Sequence, residues 1–140
     1  MPGCTIGAVQ FQRLNASHAA ATRAVAERSI RQTEGTLYSA TQVEAWLHGM
    51  SEERFRQRLS ETWAIGTFDG ADLTGFATFV EATSELDLLY VDPDLWRRGL
   101  GRRLVRRIKD HARFFEASEI RVDASLLARP LLESQGYTVW

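Results

Sequence analysis

The stretch Leu86 to Gly101, LDLLYVDPDLWRRGLG, constrains the fold more than any other part of the chain, because its character changes twice within a few residues. An apolar run stops at Asp92-Pro93, and a glycine pair, Gly99 and Gly101, then opens a strongly basic segment. A strand that leads into a glycine-started helix is the layout of a phosphate cradle. Amide N–H groups in a first helical turn lack intrahelical acceptors and sit at the positive end of the helix dipole, so glycines there let an anion approach the main chain. The helix adds charge of matching sign. Arg97, Arg98, Arg102, Arg103, Arg106, Arg107, Lys109 and Arg113 are nearly half of the 17 lysines and arginines, while 18 acidic residues bring the whole chain to a formal net charge of -1. A local basic block in a balanced chain points to one polyanionic ligand rather than to a surface that coats nucleic acid. Charge alone is equally well explained by a solvated helix face; the glycine pair and the preceding strand shift the reading towards a ligand.

The surrounding pattern is mixed. Ile6 to Arg13 reads as a strand, and Ser17 as the N-cap of a helix running to about Gln32 and broken at Gly35. Ser39-Ala40-Thr41-Gln42 has the capping-box spacing before Val43, Ala45, Trp46 and Leu47, and Ser51-Glu52-Glu53 opens a short helix ending near Leu59. Trp63 to Phe68 and Leu73 to Val80 read as strands joined by a hairpin through Asp69-Gly70, and Glu85 to Val91 as a third meander strand. The basic helix spans about Gly99 to Phe115, with a buried stripe of Leu100, Leu104, Ile108, Ala112 and Phe115 and with Arg102, Arg106, Lys109 and Arg113 facing solvent. Ile120 to Val122 reads as a short strand, Leu126 to Gln135 as a helix stopped by Gly136, and Tyr137 to Trp140 as the start of a last strand. The sum is an α/β (α+β) fold, a mixed sheet covered by helices. The length of 140 residues suits one domain, residues 1–140.

The segment Trp96-Arg97-Arg98-Gly99-Leu100-Gly101 resembles the acyl-CoA-binding motif Q/R-x-x-G-x-G/A of the GNAT superfamily of N-acetyltransferases, with both glycines in register and Trp96 in place of glutamine or arginine. Leu89-Tyr90-Val91-Asp92-Pro93 is similar to the family's strand that splays beside the pantetheine arm, and residues 124–137, ASLLARPLLESQGY, to its late helix. Ser29-Ile30-Arg31, Tyr38-Ser39 and Ala45-Trp46 resemble the two-helix substrate region of one bacterial branch. The resemblance implies a GNAT-like, mostly antiparallel central sheet flanked by helices, with a short or truncated C-terminal hairpin. It implies acetyl-CoA as cosubstrate and a primary amine as acceptor, combined in a ternary complex. The cosubstrate-binding residues it implies are Leu89, Tyr90, Val91, Trp96, Arg97, Arg98, Gly99, Leu100, Gly101, Arg102, Arg103 and Ser125, with the main-chain N–H of Tyr90 or Val91 at the oxyanion.

Transfer to an alkyl amine also needs a proton acceptor, because such amines are mostly protonated at neutral pH. Glu85, Asp87 and Glu81 are the candidates. Strand alternation puts Glu85 and Asp87 on one face, and Glu85 falls where the resemblance implies a catalytic glutamate. Glu85 is as readily a surface carboxylate near a turn, and Asp87 more readily so. The late-helix position that carries a tyrosine acid in many GNAT sequences is Leu132, leaving the thiolate to depart unassisted or with Tyr137 or Tyr38 in its place. Ser125 reads equally as a helix N-cap. Tyr38, Trp46 and His48 are candidates for the acceptor pocket. His18, His48 and His111 lack metal-ligand spacing and Cys4 stands alone, so no metal is expected.

Other readings are weaker. Gly99-Leu100-Gly101 before a helix, with Asp123 about 20 residues on, suggests a dinucleotide fold, but Leu104 occupies the third glycine position. A nucleic-acid-binding module would rest on the arginine helix alone. A non-catalytic acyl-CoA-binding domain stays open. No apolar stretch approaches the roughly 18 residues of a membrane helix, and MPGCTIGAVQFQRL lacks a signal-peptide pattern. A cytoplasmic protein with neither membrane nor nucleic-acid partners is expected, and a homodimer is compatible with the sequence.

Overall fold

The computed structural model describes residues 9–114 and 119–122. The elements are β1 (Gln10–Arg13), α1 (Ala19–Arg31), α2 (Ala40–His48), α3 (Glu52–Glu61), β2 (Trp63–Asp69), β3 (Asp72–Val80), β4 (Glu85–Val91), α4 (Leu100–Phe114) and β5 (Arg121–Val122). The sheet runs β1-β2-β3-β4-β5, antiparallel throughout except for the parallel β4–β5 pair. The mixed, mostly antiparallel sheet expected from the sequence is thus present.

The meander follows from its turn chemistry. Asp69 pairs with Asp72, so Gly70-Ala71 is a two-residue connection, and Gly70 supplies the positive φ of 62° that such a hairpin needs. One face of the sheet buries Ala64, Phe76 and Tyr90 against Val25, Ala26 and Ile30 of α1, Val43 and Leu47 of α2, and Phe55 and Leu59 of α3. The other buries Ile65, Ala77, Phe79 and Leu86 against Leu104, Val105, Ile108 and Ala112 of α4. Gly75 sets the spacing there: a Cβ would lie 3.2 Å from Leu104 Cδ1 and 3.1 Å from Thr67 Oγ1, so the missing side chain lets α4 sit close.

The start of α1 departs from expectation. Asn15, not Ser17, is the cap: its Oδ1 accepts from Ser17 N at 2.9 Å, and its own N–H donates to His18 Nδ1 at 3.0 Å. A 3-10 turn, Ala16–His18, then intervenes before α1, so the cap falls two residues earlier than an unbroken helix would place it. Ser39 and Gln42 form the expected reciprocal box, and Ser51 caps α3. Along α4 the expected stripe is buried through Ala112, with Phe115 outside the described residues. Arg102, Arg106 and Arg113 are exposed, but Lys109 is half-buried because it follows buried Val105 by one helical turn. The expected helix at Leu126 to Gln135, the strand at Tyr137 to Trp140 and the terminal hairpin lie outside the described residues, as do Ile6 to Ala8 of the first strand. Among the described residues no helix is long and apolar enough to cross a membrane.

Candidate functional site

β3 and β4 pair from Gly75↔Val91 to Thr78↔Leu88 and again at Phe79↔Leu86, which leaves Asp87 as an extra residue in a β-bulge. The Thr78 hydroxyl fills the gap, accepting from Leu88 N at 2.9 Å and donating to Asp87 Oδ2 at 3.3 Å. The bulge re-aims the side chains. Leu86 packs with α4, whereas Leu88 and Tyr90 pack on the face covered by α1, α2 and α3. Asp87 is directed to that same face, because Arg58 Nε of α3 lies 3.3 Å from its Oδ2. Its side chain is only 14% exposed. Burial pushes its pKa above the usual carboxylate value, Arg58 and the Thr78 hydrogen bond pull it back, and the charge of Glu85 adds to the rise.

The other candidate carboxylates are placed differently. Glu85 is the first residue of β4, opposite Val80 and Arg121, and accepts from Thr83 Oγ1 at 3.3 Å. Glu81 is exposed in the β3–β4 turn and meets His111 Nε2 of α4 at 2.9 Å. The main chain of β4 alternates as well. Leu88 N and Asp92 N donate towards β3, to Thr78 Oγ1 and Thr74 O, so the N–H groups of Leu89 and Val91 point to the opposite edge. Beyond Leu86, that edge has no strand partner among the described residues.

After Val91 the chain is pinned before it enters α4. Asp92 Oδ1 accepts from Asp94 N at 3.0 Å, opening the 3-10 turn Pro93–Leu95, and Trp96 Nε1 donates to Val91 O at 2.8 Å. Trp96 therefore ties the loop back to the strand end. Arg97 and Gly99 follow with φ of 66° and 87°, both left-handed. Arg103 N donates to Gly99 O at 3.1 Å as the first turn of α4 closes, which leaves the N–H groups of Leu100, Gly101 and Arg102 without intrahelical acceptors. Arg97, Arg98 and Arg102 are exposed and form no ion pair among the described residues. Arg103 turns away to β1, its Cζ 5.0 Å from the Phe11 ring centroid, beside Arg107 at 4.1 Å.

On the α1–α3 face, Tyr90 lies 5.7 Å from Phe76 and 6.4 Å from Trp46, which in turn meets Tyr38 at 5.3 Å (ring centroids). Burial raises the Tyr90 phenol pKa far above its ordinary value, so this hydroxyl stays protonated. Tyr38 and Trp46 thus stand together beside β4, whereas His48 is exposed at the end of α2 and takes no part in the ring contacts. Ser125, Leu132 and Tyr137 lie outside the described residues. Among the described residues no group of three His, Cys, Asp or Glu is placed to hold a metal ion.

Three participants carry no local sequence signal: Thr78, Arg58 and Arg28. Arg28 of α1 reaches Asp92 Oδ2 at 2.7 Å and Asp94 Oδ2 at 3.2 Å, across 64 and 66 residues of chain.

The family model of the acetyltransferase (GNAT) domain matches residues 35–140. This chain belongs to the GNAT family. It is similar to the uncharacterized N-acetyltransferase YafP of Escherichia coli (strain K12), 30% identical over 110 residues that make up 79% of this chain and 68% of that protein. Among solved structures it resembles a GCN5-related N-acetyltransferase from Rhodopseudomonas palustris at 29% identity and a TM-score of 0.86, covering 99% of this chain and 84% of that one. The PaiA N-acetyltransferase of Thermoplasma acidophilum, solved with coenzyme A, shares the fold at 19% identity and a TM-score of 0.82, over 94% of this chain and 91% of that one. In this GNAT chain Asp87, Leu88 and Tyr90 share one sheet face near the middle of β4, and Arg97 to Arg102 gather at the start of α4. Glu85, at the end of the strand far from the α4 start, lies close enough to Asp87 for its charge to act on that carboxylate.

Proposed function

We propose that the chain is an acetyl-CoA-dependent N-acetyltransferase that passes the acetyl group directly to a primary amine in a ternary complex. The observation that carries this reading is the continuity of one segment. A largely buried carboxylate on a bulge, and a helix start where Arg97, Arg98 and Arg102 form no ion pair among the described residues, are joined by the outward-facing edge of β4. GNAT membership and the likeness to a fold solved with coenzyme A support it.

In this reading the CoA pyrophosphate takes the free N–H groups of Leu100, Gly101 and Arg102 together with Arg97, Arg98 and Arg102. The pantetheine arm runs along Leu89 to Val91, with Ser125 as a further contact. Val91 N–H, rather than Tyr90 N–H, donates to the thioester oxygen, because it points away from β3. The amine, entering past Tyr38, Trp46 and Tyr90, attacks the carbonyl carbon. A C–N bond forms and the amine proton passes to Asp87, directly or through water. The tetrahedral oxyanion then collapses, the C–S bond breaks, and the CoA thiolate leaves and takes a proton from water. A thiol of reference pKa about 8.5 needs no protein acid for this step. Asp87 fits the proton-accepting role better than Glu85, since its burial moves its pKa towards that of a working base. Residues 1–140 act in this reading as one cytoplasmic domain.

The test is an acetyl-CoA titration followed by an amine panel with free-thiol detection, run on wild type, Asp87→Asn and Glu85→Gln. Asp87→Asn should lower kcat about 100-fold or more at neutral pH, with partial recovery in alkali where the amine deprotonates itself, and Glu85→Gln should change it far less. The reverse order assigns the role to Glu85. Tight acetyl-CoA binding with no turnover on any amine makes the chain a non-catalytic binding domain, and no acetyl-CoA binding ends the reading altogether.

A further inference from the structure

The β4–α4 connection contains a conflict of charge. It must present an anion site at Arg97 to Arg102, yet its first residues include Asp92 and Asp94. Asp92 has a conformational task that needs an acceptor: Oδ1 takes Asp94 N–H at 3.0 Å to form the turn, while its own N–H is committed to Thr74 O at 2.8 Å. An acidic side chain here therefore shapes the loop but also lowers the potential next to a polyanion.

We infer that Arg28 is a positioning residue for the acyl-CoA cosubstrate, which neutralises Asp92 and Asp94 from α1 so that the loop keeps its turn without repelling the pyrophosphate. The inference rests on the function proposed above. One guanidinium is divided between two carboxylates, with Nη1 at 2.7 Å from Asp92 Oδ2 and Nη2 at 3.2 Å from Asp94 Oδ2, a geometry a lysine point charge would not reproduce. Asp92 is the firmer partner, with a side chain 14% exposed against 84% for Asp94. Nothing on α1 competes for Arg28, because the adjacent Glu27 is held by Arg23 at 2.7 Å and Arg31 at 3.0 Å. Arg31 also reaches Glu44 of α2 at 2.9 Å, so the helix that guards the cosubstrate loop is the one tied to the acceptor-side helix.

Calorimetric titration of CoA into wild type, Arg28→Ala, and Arg28→Ala combined with Asp92→Asn and Asp94→Asn separates this role from a mechanical one. Asparagine keeps the side-chain oxygen for the turn and removes the charge. Arg28→Ala should weaken CoA about 3- to 10-fold at low salt, the gap should narrow as salt rises, and the triple variant should return to within about twofold of wild type. A triple variant as weak as Arg28→Ala, a deficit independent of salt, or an Arg28→Ala variant with wild-type affinity overturns the inference. Wild type that binds no CoA instead overturns the proposed function. Should Arg28→Ala fail to fold, Asp92→Asn with Asp94→Asn in the presence of Arg28 decides, since freeing that cation should tighten CoA binding; unchanged or weaker binding overturns the inference.

Discussion

Replacing Gly99 with alanine isolates the conformational requirement of the cradle. Gly99 has φ of 87°, and a Cβ built there meets nothing within 4 Å. The substitution therefore adds no clash and removes no contact; its whole penalty is the left-handed backbone, about 1–2 kcal/mol for an L-residue with a Cβ. That energy must appear in one of two places. If the loop holds its shape, the folded state loses it, and with an unfolding entropy of about 2.1 cal/mol/K per residue over 140 residues the Tm falls by about 3–7 °C. If the loop relaxes instead, stability is spared and the N–H groups at the start of α4 are no longer presented, so CoA binding weakens about 5- to 30-fold. Differential scanning calorimetry and CoA titration on the same preparation read both terms. Gly99→Asn should lose less than Gly99→Ala, since asparagine tolerates the left-handed region. A Gly99→Ala protein with unchanged Tm and unchanged CoA affinity refutes the argument, and so does an asparagine variant that loses more than the alanine one.

Further outcomes follow from other contacts. The folded pKa of Asp87 is raised above its ordinary 3.8, so the folded state holds this proton more tightly than the unfolded chain, and the ionised side chain costs stability once pH rises through that window. Asp87→Asn should therefore raise denaturant stability at neutral pH and lose that advantage below pH 3.8, which paired urea titrations at the two conditions would check. Trp96→Phe keeps an aromatic, though smaller, side chain but removes the 2.8 Å bond to Val91 O, and should cost about 1 kcal/mol in thermal stability together with a measurable loss of CoA affinity. Gly75→Ala would press a Cβ to 3.2 Å from Leu104 Cδ1, and calorimetry should show a loss of about 1–3 kcal/mol from overpacking under α4.

Local chemistry explains which parts of this architecture were readable in advance. β4 occupies Glu85 to Val91 as expected, because its apolar run is bounded by turn residues on both sides, and the Gly70 hairpin announces itself through a conformation few other residues adopt. The α4 stripe is legible for a similar reason, since Leu100, Leu104 and Ile108 recur at helical spacing and are all buried. Asn15 and Ser17 are both good caps two residues apart, and only the intervening 3-10 turn decides between them. The bulge was hidden because its cause lies on another strand: the Thr78 hydroxyl takes Leu88 N–H, and no pattern within LDLL reports that. Arg28 was unreadable for the same reason, its partners being determined by how α1 crosses the end of β4. The candidate site is thus legible where backbone conformation dictates residue type, as at Gly99, and not where distant side chains meet.

The bulge in β4 makes the register of that strand a functional quantity. Leu88 and Tyr90 look towards α1–α3, and Leu89 and Val91 towards α4, only because the ladder skips Asp87. Deleting Asp87 would close the bulge and leave these facings unchanged, because Phe79↔Leu86 and Thr78↔Leu88 would then follow one another directly. Drawing Asp87 into the ladder would instead turn the rest of the strand by half a period, carrying the Tyr90 ring into the tight layer under Leu104 and driving Leu89 and Val91 among the acceptor-side aromatics. The two sides of the sheet therefore depend on keeping Asp87 out of the ladder, which makes the Thr78 hydroxyl on Leu88 N–H a guard of register for everything from Leu88 to Val91.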